Sequence, residues 1–367
     1  MRALVTGANG FLGKNLSVHL RELGIETVSF TRGMTRQDLV GALKGVDFVF
    51  HLAGVNRPKD VSEFAEANAG LTEQLCDLIR EGDRPIPVLY TSSIQAEANN
   101  AYGVSKRAAE QALIALQKDT GSPVYLYRLP NVFGKWSRPN YNSVVATFCH
   151  NIANDLPIQI NDPSAYVPLA YVDDVIKDFL RLLNDRPPGV HWPEIGPVYK
   201  ITVGELADQI RLFKASRDSM IAEAVGTGLT RALYSTYLSF LRPEQFSYMV
   251  PEHADARGRF VEMLKTKDSG QFSFFTAHPG ITRGEHYHHS KNEKFLVIQG
   301  KARFGFRHVV SGETYELFTN GETPQIVETV PGWSHNITNI GDVDMIVMLW
   351  ANEIFDRQHP DTITYKV

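Results

Sequence analysis

The chain has little of what marks an exported, membrane-bound or nucleic-acid-binding protein. Of its 367 residues only two are cysteine, Cys76 and Cys149. Each falls inside a segment with helical spacing, and both read as buried thiols of a reducing compartment and not as a disulfide framework. Neither sign of charge dominates: 37 Lys and Arg stand against 41 Asp and Glu, a formal net charge of −4. No basic run or stripe occurs, which argues against nucleic acid and anionic membrane as partners. Apolar runs such as 345–350 are far shorter than the roughly 20 residues a membrane span needs. The first expected strand begins at Ala3, leaving no room ahead of it for the regions of a cleaved signal. A soluble, cytoplasmic protein is expected. Repeats and low-complexity tracts are absent, and the length exceeds what one core organises, so two domains are expected.

What is there changes texture along the chain. Up to about residue 180, β-branched runs at 3–6, 26–30, 48–52, 88–92 and 124–128 alternate with helical-period stretches at 14–23, 68–80 and 105–118, the pattern of parallel β-α-β units. The turn residues Pro187, Pro188 and Gly189 break that rhythm. Thr202 and Glu205 then form a capping box ahead of a helix whose apolar face is Leu206, Ile210 and Phe213; it is assigned to the first domain. Past about 230 the pattern becomes short strands between Gly and Pro turns, clearest at 272–277, 294–299 and 345–350, the texture of a β-sandwich or small barrel. The stretch 234–248, rich in aromatics and Leu, is expected to pack in a core or between domains. The expected division is residues 1–240 and 241–367.

Gly7, Gly10 and Gly13 follow the first strand and open a helix, so a pyrophosphate can lie against helix N-terminal N–H groups. A tight turn without a ligand is the alternative. Where the second strand ends, the sequence reads Phe30, Thr31, Arg32, Gly33. An acidic residue there would select NADH; Arg32 favours the 2′-phosphate of NADPH, unless it is a solvated surface charge. Glu26 sits at the strand's beginning and points away. Tyr102 and Lys106, four apart on a helix, share a face. A nearby ammonium is expected to lower the phenol's pKa, letting Tyr102 pass a proton to a carbonyl oxygen as hydride arrives. Ser93, at a strand end, can donate to the same oxygen.

Together these residues resemble the extended short-chain dehydrogenase/reductase family over most of the first 240 residues. That resemblance makes Tyr102 and Lys106 catalytic with Ser93, its neighbour Ser92 being the alternative. It places Leu52, Ala53 and Gly54, after His51, along the cofactor; Phe11 and Leu12 belong to the same cofactor loop. Arg128 to Gly134 and Tyr171 to Asp174 look like nucleotide-sugar-binding segments. Asn131 is then expected to contact substrate, with Lys135, Arg138 and Lys200 as candidates for the diphosphate. The family's dehydratases carry an Asp-Glu pair where this chain has Ile94 and Gln95. Neither can move a proton, which argues against dehydration.

In the second half His286 and His288, two apart on a strand, point to one side. Glu293 follows a short turn and His335 comes from a later strand. Three imidazoles and a carboxylate suit a divalent metal, with Zn the leading choice and Mn, Fe and Ni admissible. The spacing Gly280, His286, His288, Glu293, Gly300 resembles the cupin family without a departure. In that family's second motif Gly332, His335 and Asn339 are in place, whereas Pro324 and Val330 are not. Asp255, Arg257, Gly258, Phe260 and Glu262, with Arg283, Gly284, His286 and Tyr287, are also similar to the cupin-fold sugar-nucleotide 3,5-epimerases. There the His matching His286 is the base; here it is given to the metal. Lys294 is expected to stabilise an enolate, and a purely structural metal stays open. His289 is expected behind the ligands or facing solvent.

A Rossmann-type doubly wound parallel sheet followed by an all-β cupin barrel, in this order, resembles the bifunctional epimerase/reductases of bacterial capsule and O-antigen synthesis. The resemblance implies C3 epimerisation of a UDP-2-acetamido-2,6-dideoxy-4-hexulose by the barrel, then C4 reduction with NADPH, and a homodimer. Two other readings stay open: a 4-keto reductase or 4-epimerase whose cupin is structural, and an NADPH- and sugar-sensing binding protein.

Overall fold

A computed structural model of the chain describes residues 1–58, 60–82, 84–250, 252–255, 258–261, 264–266, 270–353 and 358–367. Arg257 and Glu262 of the epimerase-like motif lie outside the described residues. The first elements in chain order are β1 (Arg2–Thr6), α1 (Phe11–Glu22), β2 (Glu26–Phe30), α2 (Arg36–Leu43), β3 (Phe48–His51), α3 (Leu71–Arg80), β4 (Val88–Ser93), α4 (Ala101–Thr120) and β5 (Val124–Leu129). Then follow β6 (Asn131–Phe133), α5 (Val144–Ala153), β7 (Tyr166–Tyr171), α6 (Val172–Arg181), β8 (Val190–His191), β9 (Val198–Thr202), α7 (Val203–Ser219) and α8 (Gly228–Leu238). The chain divides into two compact units: Met1–Arg138 with Val167–Lys200, and Pro139–Tyr166 with Ile201–Val367.

In the first unit six strands pair in the order β2-β1-β3-β4-β5-β8, all parallel. A parallel sheet covered on both faces needs apolar residues at every position, and β3, β4 and most of β5 are buried throughout. Alternation divides those residues between two layers. Leu4, Val49, Tyr90 and Leu126 face Leu75 and Ile79 of α3 and Leu113 of α4. On the opposite face Tyr127 meets Phe179 of α6 edge-on, 4.9 Å between ring centres. The carboxyl ends of β1, β3 and β4 carry Gly7, Ala53 and Ser93, where open α/β sheets bind ligands.

The second unit holds α5, α7 and α8 and two antiparallel five-stranded sheets. Its principal strands are β10 (Ser247–Met249), β11 (Gln271–Ala277), β12 (Thr282–Tyr287), β13 (Glu293–Gln299), β14 (Lys301–His308), β15 (Thr314–Asn320), β16 (Gln325–Glu328), β17 (Trp333–Asn339), β18 (Met345–Ala351) and β19 (Ile363–Thr364). They pair as β10-β16-β13-β18-β11 and β15-β14-β17-β12-β19, the two-sheet arrangement of a cupin barrel. Phe246 fills the interior against Phe306 and Trp333, ring centres 5.4 and 5.1 Å away, so the aromatic bridge is core.

The contact division does not fall at residue 240. Helix α7, expected with the nucleotide half, belongs to the second unit along with α5 and α8. Arg217 of α7 is ion-paired with the buried Glu328 of β16, and Ser235 of α8 donates to the Ser290 carbonyl at 3.0 Å. Both cysteines are free and buried. Among the described residues no helix is long and apolar enough to cross a membrane.

Candidate functional site

The candidate nucleotide cradle lies where β1 turns into α1. Gly7 has φ +68°, and a Cβ there would sit 2.9 Å from the Ala53 backbone, so glycine alone allows β1 and the segment after β3 to approach. Gly10 caps α1 without a side-chain bond, and no acidic residue stands in the first turn. The helix therefore presents its N–H groups and positive end to an anion. Behind it, Thr6 Oγ1 accepts from Ala53 N at 3.1 Å and is hydrogen-bonded to His51 Nδ1 at 2.7 Å. His51 is fully buried, and burial with the nearby Lys106 charge holds its pKa down to about 3; it is a neutral structural imidazole. Arg32 is exposed just past the end of β2, and Glu26 pairs with Arg2 at the strand's other end.

Tyr102 and Lys106 lie in the first turns of α4, which Asn100 caps by accepting from Gly103 N at 2.8 Å. Ser93 lies on the side of the Tyr102 hydroxyl and acts to lower its pKa. Ser92 turns away and donates to Glu110 at 2.5 Å, so the geometry favours Ser93 of the two. The expected depression of the phenol is not found. Burial pushes Tyr102 up, against the effect of Ser93. Lys106 spends its ammonium on the Thr91 carbonyl at 2.8 Å, with its Nζ 5.9 Å from the Tyr102 ring centre. A phenol that stays protonated remains a proton donor. Lys106 is itself buried, and burial lowers it to about 8 despite the Glu110 charge.

Sequence reasoning missed Asn68. Buried beside this group, it accepts from Val55 N at 2.8 Å and donates to Ser105 at 2.9 Å. A Cβ on Gly54 would meet its Oδ1 at 2.9 Å and Lys106 Nζ at 3.2 Å. Asn68 thus holds the segment 54–55 against α4. A polar residue on an otherwise apolar helix face was its only trace in the sequence.

The substrate candidates fare unequally. Asn131 is exposed on β6 and donates to the Pro168 carbonyl at 3.3 Å. Arg138 and Lys200 are exposed, after β6 and on β9. Lys135 is corrected: it is 1% exposed and its ammonium is paired with Asp173 at 2.5 Å. A diphosphate would have to displace the Asp173 carboxylate to reach it.

In the barrel His286 faces His335 across the β12–β17 ladder, and a bulge between Gly284 and His286 re-aims the strand. The donor atoms of His286, His288, Glu293 and His335 all lie within 4.8 Å of one another. His288 Nε2 and His335 Nε2 approach Glu293 Oε2 at 3.2 and 3.5 Å. Burial and the neighbouring imidazoles hold His286 down to about 3. Burial alone would raise Glu293, yet its bonds to His288 and His335 hold it well below the carboxylate range. His288 Nδ1 faces the Asp361 carbonyl, which can only accept, so Nδ1 carries a proton and Nε2 is the nitrogen turned toward Glu293. Three imidazole nitrogens and a carboxylate oxygen converging within 4.8 Å of one another fit a divalent cation.

Lys294 does not join this group, and its expected role is corrected. Adjacent residues on a strand point to opposite faces, so Glu293 facing the histidines sends Lys294 the other way. There it is 3% exposed, ion-paired with Glu328 and bonded to the Tyr248 hydroxyl at 2.8 Å. The nearby lysine is Lys291, whose buried ammonium reaches Glu293 Oε1 at 2.7 Å. His289 is buried behind the ligands and donates its backbone N–H to Asp361 at 2.8 Å.

Comparison with known proteins agrees with both halves. Residues 3–195 match the NAD dependent epimerase/dehydratase family, and residues 253–363 match the polysaccharide biosynthesis C-terminal domain. The chain is 61% identical, over its whole length and 99% of the relative's, to a UDP-2-acetamido-2,6-beta-L-arabino-hexul-4-ose reductase of Pseudomonas aeruginosa. The crystal structure of the capsular polysaccharide assembling protein CapF from Staphylococcus aureus matches over all of both chains, with 42% identity and a TM-score of 0.69. MoeE5 in complex with UDP-glucose and NAD matches 59% of this chain and 82% of its own at 23% identity and a TM-score of 0.53, a likeness of fold alone. This chain belongs to the NAD dependent epimerase/dehydratase family, in a form that joins that domain to a polysaccharide biosynthesis C-terminal domain.

Proposed function

We propose that the protein is a bifunctional nucleotide-sugar enzyme of capsule or O-antigen synthesis. Its barrel epimerises C3 of a UDP-2-acetamido-2,6-dideoxy-4-hexulose, and its first unit reduces the C4 ketone to UDP-2-acetamido-2,6-dideoxy-β-L-talose, a precursor of UDP-N-acetyl-L-fucosamine. The observation that carries this reading is the presence of both constellations in one chain: Tyr102 with Ser93 and Lys106, and four convergent donors at His286, His288, Glu293 and His335. Full-length identity to a UDP-hexulose reductase supports the substrate class.

When bound, NADPH supplies the hydride, and a divalent cation, Zn first, supplies Lewis-acid stabilisation of the enolate oxygen. The chain's own residues do the rest. Gly7, Gly10 and Gly13, with the start of α1 from Phe11 and Leu12, receive the pyrophosphate, Leu52 to Gly54 line the cofactor, and Arg32 meets a 2′-phosphate. Ser93 and Tyr102 bind the C4 oxygen and Tyr102 delivers its proton, with Lys106 as the cation that steadies the phenol after transfer. Asn131 orients the sugar, and Arg138 and Lys200 take the diphosphate. We assign reduction to the constellation around Tyr102 in the first unit and epimerisation to the four donors in the second. A homodimer is part of the reading: the edge strand β11 exposes Phe272 and Phe274, 48% and 71%, beside Ile298, an apolar sheet face that a second copy would cover.

Incubation with the 4-keto sugar and Zn²⁺ in deuterated water, without NADPH, tests the division of labour. Deuterium should enter at C3. Absence of exchange alongside intact reduction would leave a reductase with a structural barrel.

A further inference from the structure

The elements that hold the four donors are tied together by a segment far from them in sequence. Asp361 lies 73 residues after His288, yet its Oδ1 accepts from His289 N at 2.8 Å. Its Oδ2 accepts from Ser290 N at 2.7 Å, Ser290 Oγ at 3.0 Å and Lys291 N at 2.8 Å. One carboxylate thus gathers the three successive N–H groups of the turn joining His288 to Glu293. The same residue's carbonyl faces His288 Nδ1, and the Lys291 so held reaches Glu293 Oε1. Beyond it β19 pairs with β12, Thr364 opposite His286 and Ile363 opposite Tyr287. Tyr365 N donates to the Glu285 carbonyl at 2.8 Å, and Val367 N to Glu285 Oε2 at 3.0 Å. Glu285 is at φ +62°, a left-handed conformation that a non-glycine keeps only when its surroundings enforce it. Ser334, next to His335, donates to the Tyr365 carbonyl.

We propose that residues 361–367 form a positioning strap, headed by the Asp361 carboxylate, that presets His286, His288 and Glu293 for the metal before it arrives. This rests on the reading that the four donors hold a divalent cation. Asp361 is a positioning residue, acting on Glu293 through Lys291 and on His288 through the turn it closes; partners of metal ligands fix tautomer and orientation in this way. An Asn at 361 cannot replace it. With its oxygen toward Ser290 and Lys291, its NH2 meets the His289 N–H; turned over, the NH2 meets three donors.

The test uses the full chain stripped of metal, titrated with Zn²⁺ against a chromogenic chelator, comparing wild type with D361N and D361A. Both variants should keep a cooperative metal-free thermal transition, at a lower temperature than the wild type's because buried N–H groups lose their acceptor, while their Zn²⁺ affinity falls about 10–100-fold. Co²⁺-loaded D361N should also show a visible absorption spectrum unlike the wild type's, a signature of altered ligand geometry that a defect elsewhere in the fold would not move. Wild-type affinity in either variant would overturn the proposal. So would loss of the metal-free transition in both, which would make the strap a determinant of the fold. A wild type that binds no Zn²⁺ would instead bring down the metal reading on which the strap depends.

Discussion

At the scale of single residues, the two members of each candidate pair are separated by what their neighbours do with them. Ser93 acts on the Tyr102 hydroxyl while Ser92 is taken by Glu110, so Tyr102→Phe should cut C4 reduction by about 10²–10⁴-fold and leave deuterium exchange at C3 untouched. Loss of both would mean one shared site. Lys106, lowered to about 8, carries its charge below that pH and sheds it above. Single-turnover reduction should therefore decline as pH rises through about 8, and a rate that climbs past that point would remove the ammonium from the mechanism. Lys294 belongs to the scaffold. Glu328→Gln would leave Arg217 and Lys294 buried around a neutral amide and should cost about 3–5 kcal/mol of stability, read by denaturant titration. Burial would raise Glu328, but Arg217 and Lys294 hold it to about 2. Its contribution is thus present above the ordinary carboxylate pKa near 4.5 and is lost as pH falls toward 2. The correction at Lys294 was available from the sequence, because the period of two that places His286 beside His288 also puts Glu293 and Lys294 on opposite faces. Asp361 was not available. No spacing rule links a tail residue to a turn more than 70 positions earlier.

At the scale of elements, sequence and structure agree where hydrophobic period and capping chemistry act locally. The expected strands at 3–6, 26–30 and 124–128 lie within β1, β2 and β5, and the capping box at Thr202 is formed, its hydroxyl accepting from Glu205 N at 3.2 Å. Boundaries move where a turn replaces a regular helix: the stretch expected to be helical from Asn68 is a wide π-type turn over Ala65–Gly70 before α3 begins. The β1–α1 junction is the element to which cofactor binding is assigned. Gly7→Ala places a methyl 2.9 Å from the Ala53 backbone at a positive φ. It should weaken NADPH binding at least tenfold by fluorescence titration, with little effect on Zn²⁺ uptake by the barrel. Arg32→Glu at the end of β2 should invert the preference from NADPH to NADH; an unchanged preference would return Arg32 to the solvated surface.

At the scale of the whole molecule, reduction and epimerisation are assigned to constellations that lie in different compact units. A mixture of Tyr102→Phe and Glu293→Gln proteins should then recover the complete two-step conversion that neither achieves alone, measured by product formation from the 4-keto sugar. Failure to recover would tie both steps to a single polypeptide. Phe274→Glu should shift a dimer toward monomer in light scattering if a second copy covers β11. The division into units was the least legible feature of the sequence. Apolar helix faces such as Leu206, Ile210 and Phe213 look the same whichever body they cover.

The chain passes between the two units after residues 138, 166 and 200. A graft cut at the textural break near 240 would strip α5, α7 and α8 from the sheets, leaving Glu328 without Arg217 and the Ser290 carbonyl without Ser235. The portable cassette in this protein is discontinuous. Exchanging its barrel for another would require transplanting 139–166 and 201–367 together.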